Sequence, residues 1–131
     1  MAGIAGYILR IATRQWVDQV FDLARYYTGL RRKWKPGQTV LFAHRTSDGD
    51  SFVGYGVIDA VHEKDDLSET ELTECNEFRW KWAIEFKYVI RFEKPLLISE
   101  TFLRGSKLRG KYLHGLSLNK EQVAAIALQV A

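Results

Sequence analysis

The feature that most constrains the fold is a proline–glycine turn followed by two apolar runs. Pro36-Gly37 fits a type II turn, because proline fixes the first central φ and glycine permits a positive second φ. Residues 39–45 and 51–62 are rich in β-branched and aromatic residues and are joined by a loop of hairpin composition. The second run carries Gly54 and Gly56, whose missing side chains fall on one face and indicate a bend, a bulge or a close backbone approach. The pattern predicts a β-hairpin within a small, curled, β-rich domain.

The rest of the chain alternates further strand patterns with amphipathic helical ones. Apolar spacing and capping residues predict strands at 7–12, 78–92 and 112–118 and helices at 14–27, from 68 and from 119. Gly29 suits a left-handed end to the first helix, and Pro95 is expected to end the long strand. Several strands with peripheral helices predict an α+β fold, with a mixed sheet curled toward a barrel.

Length and composition predict one globular domain over residues 1–131. The lone cysteine, Cys75, excludes an intramolecular disulfide and fits a reducing compartment, so a cytoplasmic protein is expected. No apolar run approaches about 18 residues and the start lacks a signal-peptide layout, so no membrane association is expected.

Charge is distributed in blocks along the chain. Residues 1–45 carry eight Lys/Arg against two acids and residues 78–114 carry nine against three, so each block has a net charge of +6. Residues 59–77 between them carry one Lys against eight acids, a net charge of −7. If the fold joins the two basic blocks, they form a positive face able to attract phosphates. The alternative is that each block is a solvated face, and charge alone leaves both interpretations open.

Catalytic and cofactor motifs are not readable in the chain. His44, His62 and His114 have no metal-ligand spacing among themselves or with Cys75, which lies in an acidic segment that disfavours a thiolate. The Gly-x-Gly at 54–56 lacks the third glycine and the helix that a dinucleotide fingerprint needs. The expectation is a protein that is not an enzyme and has no cofactor and no metal.

Aromatic and basic residues are interleaved in three segments, at 31–35, 79–82 and 107–112. A groove that follows a nucleic-acid backbone while stacking bases needs that mixture. For the tryptophans of 79–82 a place in the core is favoured, because one face of that alternating run is apolar. Core and ligand contact both stay open for Trp34, which lies among four cations, and core is favoured for Trp16.

The order of these elements resembles that of a known family. Five consecutive elements are similar to the first half of an EVE domain: the strand 7–12, the helix from Arg14, the Lys-Pro-Gly turn, the strand 40–44 and the run Val53-Gly54-Tyr55-Gly56-Val57. EVE domains belong to the PUA-like superfamily, together with YTH and ASCH domains. The resemblance covers nearly the whole chain, although the Gly-x-Lys-x-x-Glu-x-Arg pattern of ASCH domains is not evident.

The resemblance implies a PUA-like barrel that binds RNA or single-stranded DNA. It also implies a pocket beside the first helix for a flipped or unpaired base, modified bases included. Family members typically place a tryptophan or another planar residue in the loop after that helix, whereas the matching stretch 26–30 has no tryptophan. The predicted nucleic-acid-binding residues combine the basic loops with pocket-rim positions: Thr13, Arg14, Trp16, Tyr27, Thr28, Arg31, Arg32, Lys33, Trp34, Lys35, Arg109, Lys111, Tyr112 and His114. The alternative function is a protein-interaction or scaffold domain that uses the acidic insert 63–77.

Overall fold

A computed structural model describes residues 4–104 and 113–130 of the protein. Its strands are Gly6–Arg10 (β1), Arg25–Thr28 (β2), Thr39–Thr46 (β3), Gly49–Glu63 (β4), Trp82–Leu97 (β5) and Ser117–Leu118 (β6). Its helices are Arg14–Leu23 (α1), Glu69–Phe78 (α2) and Lys120–Val130 (α3). In the described ranges, no helix is long and apolar enough to cross a membrane.

The strands form one mixed sheet in the order β2-β5-β4-β3-β1-β6. The first strand runs parallel to β3 and the remaining neighbours are antiparallel. The edge strands β2 and β6 are not paired with each other, so the sheet is not closed in the part of the chain described. The predicted α+β class, with a mixed sheet and flanking helices, is confirmed.

A hydrophobic core covers each face of the sheet. Along the central strands, successive side chains point to opposite faces and most are apolar, so neither face is polar there. Leu9 and Phe42 point into a first core cluster, which α1 covers with Val20. Their sequence neighbours Ile8 and Leu41 belong to a second core cluster, which also contains Ile126 of α3. The alternation of a strand thus sends successive side chains into opposite cores.

The predicted turn and hairpin are confirmed. Gly37 has a φ of 90°, and the amide of Gln38 donates to the carbonyl of Lys35 at 3.3 Å, which closes the turn. The paired strands β3 and β4 follow it, with irregular register near Gly54. A Cβ at Gly54 would lie 2.3 Å from the carbonyl oxygen of Ile90 and 2.5 Å from the Phe21 ring. The strand glycine therefore permits a close approach, as its pattern indicated.

The first helix is shorter than predicted. It ends at Leu23, and the left-handed residue is Ala24, with a φ of 52°, rather than Gly29. Residues 25–28 form β2, which pairs with residues 82–85 of β5. The helical spacing of Ala24 and Tyr27 was misleading, because pairing with a strand more than fifty residues away outweighs local helical periodicity.

The long strand also has different limits from those predicted. Helix α2 continues to Phe78, Arg79 takes a left-handed φ of 59°, and β5 begins only at Trp82. The strand extends to Leu97, past Pro95. The proline is tolerated because it lies where the register with β4 shifts, and a residue in a bulge does not need to donate a backbone hydrogen bond. The last predicted strand, 112–118, is reduced to Ser117–Leu118 within the described residues.

Candidate nucleic-acid interface

The basic segment 31–35 lies against the turn 113–116, which follows the second basic region of the sequence. The Nε of Arg32 donates to the carbonyl oxygen of Gly115 at 2.8 Å. Gly115 has a φ of 82°, and a Cβ there would lie 2.5 Å from Nη2 of Arg32, so only glycine permits this approach. The fold therefore brings the basic segment of the first block against the turn that follows the second block.

His114 lies at this contact, close enough to the guanidinium groups of Arg32 and Arg10 to be affected by their charge. Its Nδ1 accepts from the backbone amide of Arg10 at 3.0 Å, so in the neutral ring the proton is on Nε2. Burial lowers the pKa of His114 below its usual 6.5, and the positive charges of Arg32 and Arg10 lower it further. At neutral pH the ring is therefore an uncharged hydrogen-bond donor.

Arg10 is the last residue of β1, and its charged side chain is mostly buried. Its side chain is 23% exposed, and Nη2 lies 3.4 Å from a carboxylate oxygen of Asp50. Its Nε is buried and has no hydrogen-bond partner among the described residues. Arg10, Arg32 and His114 are called the Arg10–Arg32–His114 cluster below. Sequence reasoning missed Arg10; its signal was a cation at the end of an otherwise buried strand.

The other cations of segment 31–35 point into solvent while their backbone is held. Arg31, Lys33 and Lys35 are exposed. The amide of Lys33 donates to the Tyr7 hydroxyl at 3.2 Å, and the amide of Lys35 donates to Oε1 of the buried Gln38 at 2.9 Å. Anchored backbone and free side chains suit these cations to contacts with a flexible polyanion.

Trp34 has a structural position. Its ring is half-buried against the first core cluster, and its centroid lies 4.8 Å from that of the Tyr7 ring in an edge-on arrangement. Its Nε1 donates to the carbonyl of Leu30 at 3.2 Å. These contacts anchor the basic segment, and they leave little of the ring for stacking with a base.

Two other predicted residues, Trp16 and Tyr27, belong to an aromatic cluster without a base-sized space. Trp80 is stacked between Tyr27, at 5.4 Å, and Phe78, at 4.7 Å, and Trp16 meets both Trp80 and Phe78 edge-on. The space lined by Trp16, Tyr27 and Trp80 has a volume of about 10 Å³, room for one water at most. Thr28 is buried beside this cluster, and its Oγ1 accepts from the amide of Leu30 at 3.0 Å.

A larger groove of about 240 Å³ lies beside the N-terminal half of α1. His44 lines this groove, and its Nδ1–H donates to the carbonyl oxygen of Ile11 at 2.7 Å. In the neutral ring Nε2 is therefore an acceptor. Arg91 is held by Asp18 at 3.0 Å and lies over the Phe21 ring at 4.4 Å. The lining residues are Arg14, Val17, Asp18, His44, Thr46, Val53, Arg91, Phe92, Glu93 and Pro95.

The predicted residues therefore fall into separate places. Arg32 and His114 come together, and Arg14 lines the groove beside α1. Thr13 caps that helix from an exposed position, where its Oγ1 accepts from the amide of Trp16 at 3.4 Å. Arg109, Lys111 and Tyr112 lie outside the described residues. Within residues 4–104 and 113–130, no three His, Cys, Asp or Glu side chains are grouped as metal ligands.

Comparison with solved structures relates this architecture to ASCH domains. The crystal structure of ASCH from Zymomonas mobilis matches with a TM-score of 0.70 at 10% identity, covering 97% of this chain and 96% of that chain. A serine-to-alanine mutant of ZmASCH gives 0.69 at 11% identity over 100% of both chains. A tyrosine-to-phenylalanine mutant gives 0.64 at 11% identity over 97% of this chain and 99% of that chain.

The chain thus has an α+β fold like that of these ASCH structures. The structures compared are ASCH domains, and the resemblance to EVE domains in particular stays a prediction. No protein-family model matches the sequence, and no curated protein matches it.

Proposed function

We propose that the protein is a non-enzymatic, PUA-like module that binds single-stranded nucleic acid, either RNA or single-stranded DNA. The observation that carries this proposal is the contact between Arg32 and Gly115, at 2.8 Å, because it places the basic segment 31–35 against the turn 113–116, which follows the second basic block in the sequence. The ASCH-like fold supports the proposal as an analogy of architecture.

Phosphate contacts are assigned to the exposed cations of segment 31–35, Arg32 included. Such contacts are electrostatic and independent of base identity. An unpaired base is assigned to the groove beside α1, where His44 offers an acceptor and Arg14 and Arg91 offer planar guanidinium groups. Arginine planes stack on unpaired bases and donate to their edges, so this lining suits a base better than the filled aromatic cluster does.

The phosphate assignment is tested by titrating labelled RNA and DNA single strands at two salt concentrations. The triple variant Arg31→Ala/Arg32→Ala/Lys33→Ala is expected to bind at least about tenfold more weakly, because each lost contact removes a charge-assisted hydrogen bond. The slope of the logarithm of the binding constant against the logarithm of the salt concentration, the salt slope, should become smaller in magnitude by about 2, since each phosphate contact contributes roughly 0.7 for single strands.

The matched control is Lys81→Ala/Lys87→Ala/Lys94→Ala, which removes the same charge from exposed positions elsewhere. Equal weakening in both triple variants would show that net charge, and not this surface, attracts the strand. Absence of binding at low salt across RNA and DNA pools would sink the proposed function.

A base bound in the groove beside α1 predicts a different result from phosphate contacts. His44→Ala is expected to change the relative affinities for homopolymeric strands by several-fold and to leave the salt slope unchanged, because a base contact carries no phosphate charge. Arg45→Ala, an exposed neighbour outside the groove, is the control. An unchanged order of base preference in His44→Ala would place the base elsewhere.

A second function, protein interaction through the acidic insert, is favoured by the way α2 is held. Glu71 of this helix binds Arg25 and Tyr27, both at 2.7 Å, whereas Glu69, Glu74 and Glu77 are exposed. The variant Glu69→Gln/Glu74→Gln/Glu77→Gln should lose a partner that carries basic groups. If that variant keeps every partner captured by the unchanged protein, the insert is not a docking surface.

A further inference from the structure

Folding alone does not explain the mostly buried charge of Arg10 in the Arg10–Arg32–His114 cluster, whereas Arg32 is exposed. A charge that is mostly removed from water is stabilised by a close counter-ion and by hydrogen bonds on all its donors. Arg10 has one carboxylate, Asp50, at the long distance of 3.4 Å, and its buried Nε has no acceptor among the described residues. Arg32 has no carboxylate within salt-bridge distance in the same set of residues.

Backbone atoms hold two of the side chains of the cluster, those of Arg32 and His114, in position. The Nε and Nη1 of Arg32 donate to the carbonyls of Gly115 and Arg31, at 2.8 and 2.7 Å, which fix the plane of the guanidinium. The amide of Arg10 holds the His114 ring through Nδ1 at 3.0 Å. The Nε2–H of His114 and the Nη2 of Arg32 have no acceptor in the described ranges. Three elements therefore present oriented donors and two full positive charges.

We propose that the Arg10–Arg32–His114 cluster is a binding site for a phosphate group. A phosphate presents several acceptor oxygens and one or two negative charges, which matches two guanidinium groups and a neutral imidazole donor. A base edge would not neutralise two positive charges. This inference deepens the proposed function, on which it rests for the source of the phosphate, and it adds Arg10 to the interface.

Among residues 4–104 and 113–130, the charged groups near His114 are Arg10 of β1, Arg32 of segment 31–35, and Asp50 of β4 through Arg10. Bound phosphate adds a negative charge to a site where positive charge disfavours the imidazolium. Binding should therefore raise the pKa of His114 from its lowered value. An exposed cation that meets phosphate only by loose attraction would leave this ring unchanged.

The experiment is a titration of the full chain with inorganic phosphate at constant ionic strength, with NMR detection of the histidine ring nitrogens. His44→Gln and His62→Gln assign the other two rings. The expected result is a saturable shift of the His114 signals and an increase in its pKa. Arg32→Gln should weaken this binding at least about tenfold, whereas Arg45→Gln, an exposed cation outside the cluster, should leave it unchanged. Arg10→Lys, which keeps the charge and loses the fork, gives a second test if Arg32→Gln does not fold.

The outcomes separate this site from the proposed function. A shift at His114 with inorganic phosphate, displaced by a labelled single strand, supports the site and assigns the phosphate to nucleic acid. The same shift in a protein that binds no single strand supports the site, assigns it to a free phosphate group and overturns the proposed function. Strand binding without any saturable shift at His114 overturns the phosphate site and leaves the proposed function standing. An equal shift with acetate overturns selectivity for phosphate.

Discussion

At the scale of single residues, glycines decide where the backbone of this protein comes close to other atoms. Gly54 faces Phe21 and the carbonyl of Ile90, and Gly115 faces the guanidinium of Arg32. The first lets α1 lie close to the sheet, and the second lets the basic segment lie across the turn 113–116. The Gly-x-Gly pattern in the sequence indicated the first position. Nothing local indicated the second, because its neighbour is 83 residues away.

Gly54→Ala tests the close approach in β4. The added Cβ would meet the Ile90 carbonyl oxygen at 2.3 Å, so either the strand or α1 must shift. We expect a loss of about 1–3 kcal/mol in the free energy of unfolding, measured by urea denaturation. Gly37→Ala is the comparison, since that site is open and the variant carries only the left-handed strain of its φ of 90°. A Gly54→Ala protein as stable as the unchanged one would mean that the sheet and helix accommodate the methyl group freely.

At the scale of elements, α2 shows how a helix predicted by its cap is held by contacts that the sequence did not reveal. The Ser68 Oγ accepts from the amide of Glu71 at 3.3 Å, as the capping box predicted. The same Glu71 accepts from the Tyr27 hydroxyl and from Arg25, which ties the helix to β2. The Phe78 ring then stacks on Trp80. The cap is a contact within four residues, whereas the docking joins residues more than forty apart.

Glu71→Gln is expected to destabilise the protein at neutral pH by about 1 kcal/mol, because neutral hydrogen bonds to Tyr27 and Arg25 replace charge-assisted ones. The Tyr27 hydrogen bond is the largest cause that lowers the pKa of Glu71 below its usual 4.5. Burial, followed by the bond to Glu71, raises the pKa of Tyr27 to about 12.

A carboxyl whose pKa is lowered by folding stabilises the protein above its unfolded pKa and loses that effect as the pH falls through the folded value. The difference between Glu71→Gln and the unchanged protein should therefore be full at pH 7 and shrink below a pH of about 4.5. Urea denaturation across this range measures it. Glu74→Gln, exposed on the same helix, is the control and should show little difference at any pH. A Glu71→Gln effect that is constant with pH would contradict the proposed role of the charge.

At the scale of the whole molecule, one sheet separates two cores, and β1 contributes alternately to both. Ile8 and Leu9 are adjacent, fully buried, and belong to different clusters. Trp16 and Trp34 pack against the first core cluster, so tryptophan fluorescence reports that side of the sheet. Because a strand shared by two cores cannot unfold on one side alone, the two clusters should unfold together.

Ile8→Ala and Leu9→Ala should each lower the free energy of unfolding by about 2–5 kcal/mol. Tryptophan fluorescence and far-UV circular dichroism should give the same urea midpoint in both variants, including Ile8→Ala, whose cavity lies on the face away from these tryptophans. Ile4→Ala, at a position 42% exposed, is the control for a side chain near the same strand. Separate transitions for the two probes in Ile8→Ala would show two independent units rather than one domain.

The fold was largely predictable because its signals are local. The turn at Pro36-Gly37, the β3–β4 hairpin and the capped starts of α2 and α3 each depend on residues a few positions apart. The reciprocal bonds between Asn119 and Gln122, at 2.8 and 2.9 Å, are an example. The prediction was wrong where distant pairing overrode periodicity, as in β2.

The sequence by itself determined the α+β class, the positions of most elements and the presence of two basic blocks around an acidic one. Only the tertiary structure decided that the sheet is open over the described residues, that Trp16 and Trp34 pack against the core, and that Arg10, Arg32 and His114 meet. The physical reason is the sequence separation over which each kind of contact acts. Caps, turns and alternation act between neighbours, whereas the Arg10–His114 bond joins residues 104 positions apart and exists only once the sheet has formed.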